Sequence, residues 1–174
     1  GGLSMLIGQN GNVYVQGYST NFIISNNLLR DPASWYHIVL AMDSTQATGS
    51  NRLRLYINGV EASYNTYNNL TQNTDYGVNQ AALHTIGYQS AAFGDNYFDG
   101  YMTNINFIDG QQLTPNAFGS FNSYGVWQPV TYGGSYGTNG FFLPFTNKTS
   151  TTTLGYDFGP AGNNWTPNNI SLTA

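Results

Sequence analysis

The chain has 174 residues, enough for one domain with a sizeable core, and its net charge of −4 rests on a sequence only 7% charged. Its four basic residues, Arg30, Arg52, Arg54 and Lys148, are too few to neutralise a phosphate backbone, which excludes nucleic acid and an anionic membrane surface as partners. The absence of cysteine removes thiolate chemistry, Cys-based zinc sites and disulfides, and an aromatic share of 16% argues against disorder.

Gly, Pro and Asn punctuate the chain at short intervals, so almost no helix is expected. Strands are predicted over 3–7, 12–18, 21–25, 35–43, 52–58, 83–88, 101–108, 140–145 and 168–173. Segment 35–60 (WYHIVLAMDSTQATGSNRLRLYINGV) carries the strongest pattern. Leu53, Leu55 and Ile57 alternate with Arg52, Arg54 and Tyr56, the period of 2 that a half-buried strand needs. Asn58-Gly59 fits a type I′ turn, in which both central residues take φ > 0. Stretches 64–80 and 89–97 are predicted as long polar loops, where a sandwich usually carries its binding residues.

Segment 112–121 (QLTPNAFGSF) is the best site for one short helical turn, with Thr114 as its cap and Pro115 in the first position. Phe118 and Phe121 would plug the sandwich edge beside it. From 130 onward Gly, Ser, Thr and Asn dominate, around an apolar run of Phe141, Phe142, Leu143 and Phe145. That run is read as a strand returning to the same sandwich, which makes 1–174 a single domain. No apolar run approaches the ~18 residues of a membrane span, so no membrane insertion is expected.

Three motifs follow one another in order: LLRDPASWYHIV at 28–39 with LRLYING at 53–59, then HTIGY at 84–88 with FDGYMTNINFIDGQQLT at 98–114, then SYGTNGFFLPF at 135–145 with LGYDFGPAGNNWTPNNISLT at 154–173. Together they resemble the laminin-G-like branch of concanavalin A-like proteins, and most closely the laminin-G-like domains of phage virion and tail-fibre proteins. The resemblance spans Leu28 to Thr173. It implies an all-β fold, an antiparallel β-sandwich of jelly-roll type with minimal helix. Family members begin with a further strand that this chain does not supply, so a portion of a longer polypeptide is expected.

The residues speak against catalysis. Glycanases of this superfamily resemble one another in an E-x-D-x-E strand, and the chain has a single glutamate, Glu61. An acid–base pair would have to come from Asp31, Asp43, Asp75, Asp95, Asp99, Asp109 and Asp157. Of these, Asp95 and Asp99 are close in sequence, but no apolar surroundings mark either for a raised pKa. The two histidines, His37 and His84, fall in strand patterns, and His37 is expected to be structural.

Sugar binding is the chemistry the loops favour. Aromatic faces stack on pyranose rings while amides and carboxylates bond the hydroxyls, which singles out Tyr64, Tyr67, Tyr76, Tyr88, Phe93, Tyr97 and Asn96. Trp35, Trp127 and Trp165 are expected to pack within the fold. The resemblance also implies a rim calcium, for which Asp43, Asp95, Asn96 and Asp99 are the candidate oxygen ligands. Short turns use the same residue types without any ion.

The function expected is a non-catalytic virion structural protein on a tail fibre or capsid surface, whose lectin-like domain recognises a host-surface glycan. A module that cements neighbouring virion subunits without binding sugar is the alternative, and a glycan depolymerase comes third. Homo-oligomers are expected, trimers in a fibre.

Overall fold

The computed structural model describes residues 2–89 and 94–172. The chain forms two compact units: Gly1–Asn96 with Gln112–Tyr132, and Tyr97–Gln111 with Gly133–Ala174.

In the first unit, β1 (Ser4–Ile7), β2 (Asn12–Gln16), β3 (Asn21–Leu28) and β7 (Tyr64–Tyr67) form a four-stranded antiparallel sheet in that order. A second antiparallel sheet holds β4 (Ile38–Met42), β5 (Leu53–Ile57) and β6 (Val60–Glu61). Both sheets feed one core: Val13, Val15, Phe22 and Ile23 from the first, Leu53, Leu55 and Ile57 from the second, joined by Ala62 and Leu70. The unit is therefore a β-sandwich, and the chain is nearly all β, as the sequence pattern implies.

Alternation explains which residues reach this core. Val13 and Val15 are inward positions of β2, and Leu53, Leu55 and Ile57 are inward positions of β5. Tyr56 departs from the expected outward set and is only 7% exposed. It lies on a central strand, between Val39 and Glu61 on its neighbours, so its outward position is still covered.

Among the described residues Ser25 is the one buried polar residue of the sandwich, and it is fully buried. The β2–β3 ladder slips register between Asn12 and Tyr14, and the β3–β7 ladder slips beside Ser25. At this bulge the Ser25 hydroxyl replaces a ladder partner: it accepts from the Val13 N–H at 2.9 Å and donates to the Asn27 carbonyl at 2.8 Å.

The Asn58-Gly59 turn is formed as expected, with φ of 48° and 80°. The Asn58 side chain accepts from the His37 N–H at 2.8 Å, and the Asn58 N–H donates to the His37 carbonyl at 2.8 Å. The Trp127 indole lies against the turn so closely that a Cβ on Gly59 would sit 2.2 Å from its Cε3. Trp127 belongs to the hairpin of β11 (Gly119–Phe121) and β12 (Trp127–Pro129), and Phe121 meets its ring edge-on at 5.0 Å. The short helical turn forms at Pro115–Ala117 with Thr114 in the cap position, although the Thr114 side chain makes no capping hydrogen bond. Phe118 is buried and Phe121 is half exposed.

Three expectations are corrected. Stretch 64–80 is not one loop: β7 opens it, and Leu70 is fully buried. Trp35 does not pack; it is 65% exposed, because the adjacent Tyr36 takes the inward place against the core. Strand 83–88 is reduced to its last residue, in β8 (Tyr88–Gln89), which pairs with β9 (Asn96–Tyr97).

The second unit is built on an antiparallel pair, β10 (Ile105–Phe107) and β13 (Phe141–Leu143). Phe107 stacks on Phe141 at 5.5 Å, and Trp165 meets Phe141 edge-on at 5.0 Å, so Trp165 packs as expected. The Asp157 carboxylate accepts from the backbone N–H groups of Phe142, Gly159 and Asn163 at 2.8, 2.6 and 2.8 Å, tying the C-terminal segment to β13. Residues 168–172 form no strand.

Candidate functional site

The aromatic residues proposed from the sequence as sugar contacts separate into three groups. Tyr64 and Tyr67 belong to the fold, which corrects their placement in a binding loop. Both lie on β7, pack against the core and stack on each other at 5.1 Å. The Tyr64 hydroxyl accepts from the Leu55 N–H at 3.2 Å, and the Tyr67 hydroxyl donates to the Leu53 carbonyl at 2.8 Å. Burial pushes the Tyr64 phenol up to about 12 and raises Tyr67 as well. Their polar ends join strands.

Tyr88, Asn96 and Tyr97 lie on the β8–β9 pair. The Tyr88 hydroxyl donates to Asp95 Oδ1 at 2.9 Å, and Asn96 Nδ2 donates to Gln89 Oε1 at 2.9 Å. Tyr97 is 68% exposed. Phe93 lies outside the described residues.

Tyr76 forms the third group, and it leads to a recess. Its ring stands edge-on to Phe22 at 5.3 Å, and its hydroxyl accepts from the Thr71 N–H at 2.7 Å. Leu70, fully buried, anchors the start of this loop. Opposite lies the tight β2–β3 connection, closed by the Gly17 N–H bonding the Thr20 carbonyl at 2.9 Å. Between them is a recess of about 210 Å³ lined chiefly by Tyr18, Thr20, Phe22, Thr74, Asp75 and Tyr76. Pockets for drug-sized ligands run roughly 300–1,000 Å³, so this one suits a single ring.

The recess combines aromatic rings with hydroxyl and carboxylate side chains. Tyr18 is 76% exposed and offers an aromatic face. Asp75 is an acceptor fixed in place: its Oδ1 accepts from the Gly77 N–H at 2.8 Å and its Oδ2 from Gln80 Nε2 at 2.6 Å. These bonds, that from Gly77 first, hold its carboxyl below the ordinary carboxylate range. A carboxylate has about four acceptor positions, so both oxygens keep capacity for ligand hydroxyls. The threonine hydroxyls add adaptable donors. Sequence reading missed Tyr18, because the Gly17-Tyr18-Ser19-Thr20 turn carries no pattern that distinguishes it from any other, and it offered Asp75 only as one of seven aspartates for an acid–base pair.

A wider groove of about 490 Å³ is lined by Ile7, Gln9, Asn10, Leu29 and Arg30, with glycine backbone completing it. Among the described residues no aromatic ring lines it, and the smaller recess is the better candidate for that reason.

Among the described residues no three of His, Cys, Asp and Glu stand close enough to share an ion. Asp43 closes its own turn, accepting from the Thr45 N–H at 2.9 Å, the Thr45 hydroxyl at 2.7 Å and Gln46 Nε2 at 2.7 Å. Those bonds, Thr45's side chain first, lower its pKa. Asp95 accepts from the Tyr88 hydroxyl. His37 is structural: its ring packs 5.6 Å from Trp127 and 6.5 Å from Phe118, and burial lowers its pKa.

No helix among the described residues is long and apolar enough to cross a membrane. No curated protein and no solved structure matches the chain. A laminin-G family model, described as the concanavalin A-like lectin/glucanases superfamily, matches residues 1–117. The match reaches upstream of Leu28 and stops before the 135–173 motif. The chain belongs to the concanavalin A-like lectin/glucanases superfamily, whose members include both lectins and glucanases.

Proposed function

We propose that this chain is a non-catalytic, lectin-like adhesion protein that seats a glycan in the Tyr18–Asp75–Tyr76 recess, and that it serves on a virion surface to recognise a host polysaccharide. The observation that carries the glycan reading is the recess itself: an exposed ring, a second ring held by the core, and a fixed carboxylate between hydroxyl side chains. Asp75 suits an acceptor and not a general acid, since its hydrogen bonds favour the charged form. The virion setting rests on the motif order and on a surface made polar by Asn, Ser and Thr instead of charge.

A glycan panel tests the reading, with the Tyr18→Ala variant beside the parent protein. Binding to some members, lost in Tyr18→Ala at unchanged fold, is expected. A folded protein that binds no glycan and no susceptible cell overturns it.

A cementing role is the second reading, and one observation favours it. Met5 and Ile7 pair across strands with the buried Val15 and Val13, so they face the core side of the sheet, yet they are 47% and 44% exposed. The facing sheet does not reach this edge strand, and a neighbouring subunit would cover it. Concentration-dependent association that Met5→Lys abolishes would support this reading; a monomer at all concentrations would remove it.

A further inference from the structure

We propose that the recess is selective by charge: it accepts neutral saccharides and turns away carboxylated ones, with Asp75 providing both effects. This rests on the recess being the glycan seat.

A site for uronic or other acidic sugars needs a cation, because a carboxylate stripped of water without a partner is strongly disfavoured. Among the described residues no Arg or Lys lines this recess. Two of the arginines in the same unit are engaged. The Arg52 guanidinium donates to the carbonyls of Gln46, Leu70 and Ala47 at 2.8, 2.9 and 3.0 Å. Arg54 is held by Asn51 at 2.7 Å and lies 3.9 Å from Glu61. Arg30 lines the other groove. Among the described residues Asp75 is thus the one charged side chain lining the recess, and it is negative.

That charge is also well placed for a neutral ring. Gly77 and Gln80 fix the carboxylate from one side, so its remaining acceptor positions are set before a ligand arrives. Ring hydroxyls donate to it, while the C–H face of the sugar lies on the Tyr18 ring. A matched acidic sugar, differing only in a carboxylate for the C6 hydroxymethyl, brings a like charge into the same small volume.

The test is a titration of the protein, followed by NMR, with oligosaccharides matched as neutral hexose and uronic acid forms. At low salt the neutral form is expected to bind at least tenfold more tightly, and added salt should narrow the gap. Asp75→Asn should weaken the neutral ligand several-fold and reduce the discrimination. Thr20→Lys, an exposed lining position, should bring the acidic ligand in without depending on how Asp75→Asn folds. Equal binding of both forms, or discrimination retained in folded Asp75→Asn, overturns the charge rule while leaving the glycan seat standing. Binding of neither form overturns the glycan seat and the charge rule together.

Discussion

Ser25→Ala is the sharpest test of how the sandwich is held. The residue is fully buried, and its hydroxyl serves the Val13 N–H at 2.9 Å where the β2–β3 register slips. Val13 is also fully buried, so in the alanine variant its N–H has neither carbonyl nor water. A buried donor left without a partner costs about 1–3 kcal/mol. The second lost bond, to the Asn27 carbonyl, adds little because Asn27 is exposed and water replaces the donor. Strand pairing survives through Asn12 Nδ2, which bonds the Ser25 carbonyl at 2.6 Å. The assay is urea unfolding. With a slope of about 1–3 kcal/mol per molar, a loss of ~2 kcal/mol lowers the midpoint by roughly 1 M at unchanged slope. Ser63→Ala is the matched control, since that hydroxyl makes only an exposed contact with Asn26 at 3.3 Å. A Ser25→Ala change within about 0.5 kcal/mol, the range of ordinary surface substitutions, would refute the account of the bulge.

Two further outcomes follow from the turn beneath Trp127. Gly59→Ala should destabilise by more than ~1–2 kcal/mol, the cost of a left-handed backbone at a non-glycine residue, because the new Cβ also meets the indole at 2.2 Å. The indole has no room to retreat, as a Cβ built on Gly119 would already lie 2.5 Å from its Cζ2; calorimetric unfolding measures the loss, and an unchanged Tm would contradict the geometry. His37 carries a pH dependence. Burial depresses its folded pKa below 6.5, so the unfolded chain takes up the proton first. Its contribution to stability is present above pH 6.5 and is lost as pH falls from there through the folded value. Unfolding free energies of the parent and His37→Gln should therefore converge on acidification, and parallel curves would rule out the depressed pKa.

Much of the first unit is legible along the chain. The alternation of Leu53, Leu55 and Ile57, the Asn58-Gly59 turn and the single turn at Pro115–Ala117 are local facts of period and dihedral preference, and the structure carries them all. Tyr64 and Tyr67 were not legible as strand residues. Three positions apart, they break the period of 2, and only the register slip beside Ser25 brings their rings together. Trp35 and Tyr36 read alike, and packing chose Tyr36 for the interior.

The sequence alone determined the fold class, the family likeness and the shortage of cations, because each depends on residue type and near spacing. The tertiary structure decided which loops meet to form the recess. Tyr18 and Asp75 are distant in sequence, and they share a recess only because β3 pairs with both β2 and β7, carrying the connection after β2 and the loop after β7 to one place. Strand order of that kind is settled by core burial and by bulges such as the one at Ser25, and no local signal in either loop records it.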